Sequence, residues 1–184
     1  MSDKRSLREA YARIRAAARS EEKDGAIADR VLSLFGDRTS FFLYVSVRTE
    51  VATDALIRRL IRCGKRVCVP RIENGVMLAV PYAPLTAGAY GIPAPPSGED
   101  TPCEVTLAPL LAFDDEGYRL GYGGGFYDAY FAAHPHTERV GLAYAAQRAV
   151  LPHEAWDVPL HAVVTEEECL RPIERRALPV EDLC

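Results

Sequence analysis

FFLYVSVRTEVATDALIRRLIRCGKRVCVP, residues 41–70, decides the fold. FFLYVS (41–46) is a short apolar run rich in β-formers and reads as a buried strand. Thr53 then caps a helix carrying Leu56, Ile57, Leu60 and Ile61, and Gly64 stops that helix. RVCVP (66–70) is the next strand. Strand, helix and strand in this order imply a right-handed crossover joining a parallel pair.

Toward the N-terminus, residues 4–18 carry Leu7, Tyr11 and Ile14 at helical spacing, with Ser2 or Asp3 as a cap. Ser20 caps a second helix that sets Ile27, Val31 and Leu34 on one face. Toward the C-terminus, GVMLAVPY (75–82) follows an Asn-Gly turn as a strand. Residues 83–102 form a proline-rich loop, and loops of that length in compact domains are usually functional or disordered. VTLAPLLAF (105–113) reads as one buried strand ending in the turn DDEG, and YDAYFAAH as a short helix. RVGLAYA (139–145) and HAVVTE (161–166) complete the strands before a polar, frayed tail. The expected architecture is α/β: a three-layer sandwich with a largely parallel central sheet and helices on both faces, one domain over 1–184. Ligands of such sheets lie beyond the carboxyl ends of the strands. SVRTE (46–50), RLGYGGG (119–125) and AYAAQ (143–147) are therefore expected in one cleft.

The 184 residues suit one domain, which buries roughly 70% of its unfolded surface and needs no staple. Hydrophobic (48%) and charged (26%) fractions are those of a globular protein. A net charge of −4 disfavours a general nucleic-acid binder. No apolar run approaches the roughly 18 residues of a membrane span, so no membrane partner is expected. The charged, helical start lacks a signal-peptide core, and Asp3 and Glu9 argue against an organelle presequence, which points to the cytoplasm. The five cysteines, Cys63, Cys68, Cys103, Cys169 and Cys184, are scattered. Cys63 with Cys68 reads as two small, half-buried residues, and His134 with His136 as an exposed loop after a helix. Neither pair has the further ligands of a zinc site.

RLGYGGGFYD (119–128) fits neither the P-loop nor the dinucleotide fingerprint, because Phe126 occupies the third glycine position of the latter. Its glycines still allow successive N–H groups to point into one anion-holding concavity, with a helix N-terminus behind. Arg119 would place a charge at the mouth, and Asp128 lies in reach of a Mg²⁺ on phosphates. The alternative is a plain turn with Phe126 and Tyr127 tucked beneath it.

Taken with KRSLR (4–8), YVSVRTEVAT (44–53), GKRVCVPR (64–71), YGIPAP (90–95), APLLAFDDEGYRLGYGGGFYDAY (108–130) and LPHEAWDVPLHAVVTE (151–166), the chain resembles the 5-formyltetrahydrofolate cyclo-ligase family over nearly its whole length. The resemblance implies a ligase of one-carbon metabolism that uses ATP and Mg²⁺ to turn 5-formyltetrahydrofolate into 5,10-methenyltetrahydrofolate, ADP and phosphate, as a monomer. It implies Arg119, Tyr127 and Asp128 as catalytic residues, and Asp128 with Asp157 as metal ligands. ATP would be held by Lys4, Arg8, Arg119, Gly121, Tyr122, Gly123, Gly124, Gly125, Phe126 and Tyr127. The folate would be held by Val45, Ser46, Glu50, Tyr90, Tyr122, Gly123, Gly124, Gly125 and Phe126. Phe126 stands where a tyrosine is commoner, and Trp156 precedes Asp157 where histidine is frequent. A non-catalytic folate or nucleotide binder is the second reading, and a sugar-phosphate isomerase the third.

Overall fold

The computed structural model describes residues 4–172. The caps at Ser2 or Asp3, Cys184 and the tail beyond Pro172 lie outside the described residues. A seven-stranded sheet carries the fold, built from β1 (Ser40–Leu43), β2 (Arg66–Glu73), β3 (Val76–Pro81), β4 (Val105–Pro109), β7 (Glu138–Leu142), β8 (Ala162–Val164) and β9 (Cys169–Leu170). Their order is β3-β2-β1-β4-β7-β8-β9, with β5 (Ala112–Phe113) and β6 (Arg119–Leu120) forming a separate hairpin. The five central strands are mutually parallel, and β3 and β9 close the edges antiparallel.

Strand β1 is buried along its length because both faces of the sheet are covered. Phe41 and Leu43 point to a cluster with Ile27, Val31 and Phe35 of α2 (Glu21–Phe35) and Leu56, Ile57 and Leu60 of α3 (Asp54–Arg62). Phe42 points the other way, to Tyr130 and Phe131 of α4 (Phe126–Ala133). This period-two alternation puts about 1.5–3 kcal/mol of side-chain burial per phenylalanine into each face. The Asn-Gly turn forms as expected: Asn74 (φ 49°) and Gly75 (φ 78°) join β2 to β3 in the left-handed pair that two-residue hairpins require.

Several expectations are corrected. Leu34 and Ile61 are solvent-exposed, and Phe35 fills the place expected of Leu34. Thr53 starts α3 without capping it by its side chain. The 105–113 strand breaks after Pro109, since the carbonyls of Leu110 and Leu111 are taken by side chains rather than a neighbouring strand. Cys63 is exposed, Cys68 is fully buried, and β9 adds a strand that periodicity could not see. Helix α1 (Lys4–Ala18) sets Leu7, Tyr11 and Ala12 on a third cluster with Leu111, Ala112, Leu120 and Leu151. Its buried residue is Arg15, whereas Ile14 faces solvent. No helix among the described residues is long and apolar enough to cross a membrane.

Candidate active site

A cleft of about 1020 Å³ opens where α1, the segment after β1, the proline loop, the glycine turn and residues 151–157 meet. Lys4, Arg8, Val45, Glu50, Tyr90, Arg119 and the whole run Gly121–Asp128 line it, as does Asp157. Ser46 is not on its wall. Ser46 and Thr53 instead exchange two hydrogen bonds, backbone N–H to side-chain oxygen in each direction, at 3.1 and 3.2 Å. That exchange fixes the bend out of β1 that delivers Glu50. AYAAQ is also absent from the wall: Gln147 is fully buried and donates to the carbonyls of Leu110 and Leu111.

The glycine turn is shaped by two positions. Gly123 (φ 98°) and Gly125 (φ 69°) lie in the left-handed region, and Gly125 leads directly into α4. A Cβ on Gly123 would stand 3.3 Å from the Arg8 guanidinium carbon. Arg8 closes in because its Nε donates to the Gly121 carbonyl at 3.0 Å. The cation of α1 is thereby held against the turn.

Arg119 is not at the mouth. Its side chain is 5% exposed and donates to Asp128 Oδ1 and to the Val158 carbonyl, both at 2.9 Å. Burial lowers its pKa and the Asp128 charge opposes that shift. The guanidinium also lies 5.0 Å from the centre of the Phe131 ring. Asp128 Oδ1 accepts a further bond from the Val158 N–H at 3.2 Å. Asp157 Oδ2 accepts from the Glu154 N–H at 2.8 Å and faces Lys4 Nζ at 3.4 Å. Burial pulls the Lys4 pKa down, but Glu154 and Asp157 outweigh it and leave the ammonium above its ordinary value.

Across the cleft, Glu50 is 5% exposed. Its Oε2 accepts from the Val47 N–H at 2.8 Å and its Oε1 from the Tyr122 hydroxyl at 2.5 Å. Burial raises the Glu50 pKa, while these bonds and the charges of Arg15 and Arg48 pull it back. Tyr127 lies beneath the turn, and burial with the nearby Glu50 charge pushes its phenol well up, so it stays protonated. Tyr90 reaches over from the proline loop in a left-handed conformation and packs edge-on against Phe126, 5.6 Å between ring centres. Glu154, Arg48 and Trp156 also line the wall, inside segments the sequence pointed to but with no role expected of them there. Arg15 did carry a sequence signal: it continues the face of Lys4 and Arg8 at helical spacing.

The 5-formyltetrahydrofolate cyclo-ligase family model matches residues 1–166. The chain belongs to the 5-formyltetrahydrofolate cyclo-ligase family. A 5-formyltetrahydrofolate cyclo-ligase of Escherichia coli is 38% identical over 137 residues, covering 67% of this chain and 75% of that protein. One from Haemophilus influenzae is 31% identical over 167 residues, covering 80% and 88%. The NMR structure of Aquifex aeolicus 5,10-methenyltetrahydrofolate synthetase superposes with a TM-score of 0.82 at 30% identity over 98% of both chains. Cyclo-ligase membership thus agrees with the α/β architecture and with a ligase of folate one-carbon metabolism.

Proposed function

We propose that this cyclo-ligase converts 5-formyltetrahydrofolate to 5,10-methenyltetrahydrofolate, with ATP consumed to ADP and phosphate. The observation that carries the reading is one cleft in which a glycine turn, with Arg8 held against it, faces a buried carboxylate. The turn, with Lys4, Arg8 and Arg119, suits a triphosphate. Glu50 suits the paired N–H donors of a pterin ring, with Val45 and Tyr90 packing on its apolar surface.

An amide-like formyl oxygen leaves poorly, so it must be activated. The formyl oxygen attacks the terminal phosphorus of ATP, the bond to ADP breaks, and an iminium phosphate results. The N10 lone pair then adds to the formyl carbon and loses its proton, and the carbon–oxygen bond breaks to release phosphate. Such a reaction is catalysed by alignment and charge neutralisation rather than a covalent nucleophile. Arg119 is pre-set by Asp128 to face charge developing on the transferred group, and the protonated Tyr127 phenol is a second donor.

The residues present fit Mg²⁺. Asp128 is one third exposed toward the cleft with Oδ1 already engaged, and Asp157 lies on the same wall. Among the described residues no cluster of three or more candidate ligands exists. Magnesium ordinarily takes one or two carboxylates and completes its shell with phosphates and water. Bound there, it would neutralise triphosphate charge.

The test is purified protein with 5-formyltetrahydrofolate, Mg²⁺ and ATP, followed by the absorbance of the methenyl product. Product that appears only with ATP supports the reading. Tight folate binding with no product would replace it by a folate binder.

A further inference from the structure

Arg15 is 3% exposed, carries a full charge and is not part of the cleft wall. Among the described residues its guanidinium bonds to no carboxylate. Nε and Nη2 donate to Thr49 Oγ1 at 3.2 and 3.1 Å, and Nη1 donates to the Leu110 carbonyl at 3.2 Å. Nη1 also donates to the Tyr122 hydroxyl at 2.5 Å. That hydroxyl in turn donates to Glu50 Oε1 at 2.5 Å. Burying a guanidinium against neutral oxygens is unfavourable, so such a residue invites a purpose beyond packing. A phenol that accepts from a cation becomes a stronger donor, and a short bond to a carboxylate is its natural outlet. Arg15 also fixes Thr49, the residue before Glu50, which ties down the carboxylate from its backbone side.

We propose that Arg15 is a positioning residue that acts through the Tyr122 hydroxyl to hold Glu50 ionised and turned toward the folate ring. The proposal rests on the assignment of Glu50 to the folate. The chain of bonds runs from α1 through the glycine turn to the loop after β1, so it joins the two halves of the cleft. Besides the Val47 N–H, five titratable or charged side chains act on Glu50: Tyr122 from the turn, Arg15 from α1, Arg48 from its own loop, and the phenols of Tyr44 and Tyr127. Burial keeps those phenols protonated, so the two arginines and the donated bonds are what oppose the burial of the Glu50 charge. Losing Arg15 or the Tyr122 hydroxyl therefore moves the Glu50 pKa upward.

The experiment compares Arg15→Met, Arg15→Lys, Tyr122→Phe, the double variant Arg15→Met/Tyr122→Phe, and Glu50→Gln. It measures folate KM and kcat across pH, with folate binding by calorimetry. Arg15→Met and Tyr122→Phe are each expected to raise the folate KM about tenfold or more. Each should shift the acidic limb of kcat/KM for folate to higher pH, with Arg15→Lys recovering part of that shift. The double variant should fall well short of the product of the two single losses, because both remove one relay, and what it adds to Tyr122→Phe is the part Arg15 plays through Thr49 and its own charge. Tyr122 is half exposed, so Tyr122→Phe carries the test even if Arg15→Met does not fold. Losses that multiply in the double variant, or an acidic limb unmoved in Tyr122→Phe, would overturn the proposal. If Glu50→Gln weakens folate binding while that limb stays fixed in the others, the proposal fails and the Glu50 assignment stands. Unchanged folate affinity in Glu50→Gln removes both.

Discussion

On the proposed function, the Arg119–Asp128 contact serves chemistry and stability together. Arg119→Ala should lower kcat/KM roughly 10²–10³-fold, the usual loss when a donor to a developing charge is removed. Asp128→Ala should match it and also cost about 1–3 kcal/mol of stability, because a buried guanidinium loses its partner. Asp128→Asn keeps an acceptor for Arg119, so thermal unfolding should separate the two effects; wild-type turnover in either aspartate variant would refute the role. Glu50→Gln should weaken folate binding with little change in ATP affinity. Its stability effect has a definite sign. The folded pKa of Glu50 is raised, so the stability this residue contributes is fully present below its unfolded value of 4.5 and is lost as pH rises through the folded value. The wild type should therefore lose ground to Glu50→Gln in thermal midpoint as pH climbs through that window, and a constant difference would contradict it. The place of Glu50 in the cleft was legible because SVRTE follows the carboxyl end of a strand. Arg15 was passed over because buried arginine is rare and Ile14 beside it looked like the core residue.

The glycine turn and α4 behave as one device at the level of elements. Gly123→Ala would strain a left-handed backbone by roughly 1–2 kcal/mol and press the new methyl on Arg8. Its expected signature is a raised KM for ATP larger than any rise for folate, measured by varying each substrate in turn; equal rises would mean the turn is not dedicated to phosphates. The β1–α3–β2 unit was readable because two short runs of β-formers flank a helix-period segment that Gly64 stops. The break after Pro109 was not, since the groups that satisfy Leu110 and Leu111 come from Arg15 and Gln147, far away in sequence. Ser46, expected on the wall from the family resemblance, is instead engaged with Thr53, a partner seven residues away that no spacing announces. Strand β9 is only two residues long and has no period to read.

Across the whole molecule, acidic composition coexists with a local positive field at the glycine turn, where Arg8 donates to a backbone carbonyl, while Lys4 and Arg119 are offset by Glu154, Asp157 and Asp128. Screening of that local field predicts a KM for ATP that rises with added salt while the folate KM changes less; a flat response for ATP would argue against an electrostatic site. Helix α1 rests mainly on the small third cluster rather than on either large face of the sheet. Opening it would leave both large cores closed while removing two cleft cations and Arg15 at once. Sub-global opening of this kind is what amide hydrogen exchange detects. An ATP analogue that grips Lys4 and Arg8 must then slow exchange along Leu7–Ala18 more than in β1 or β4. Nucleotide occupancy and the order of this helix become a single linked equilibrium.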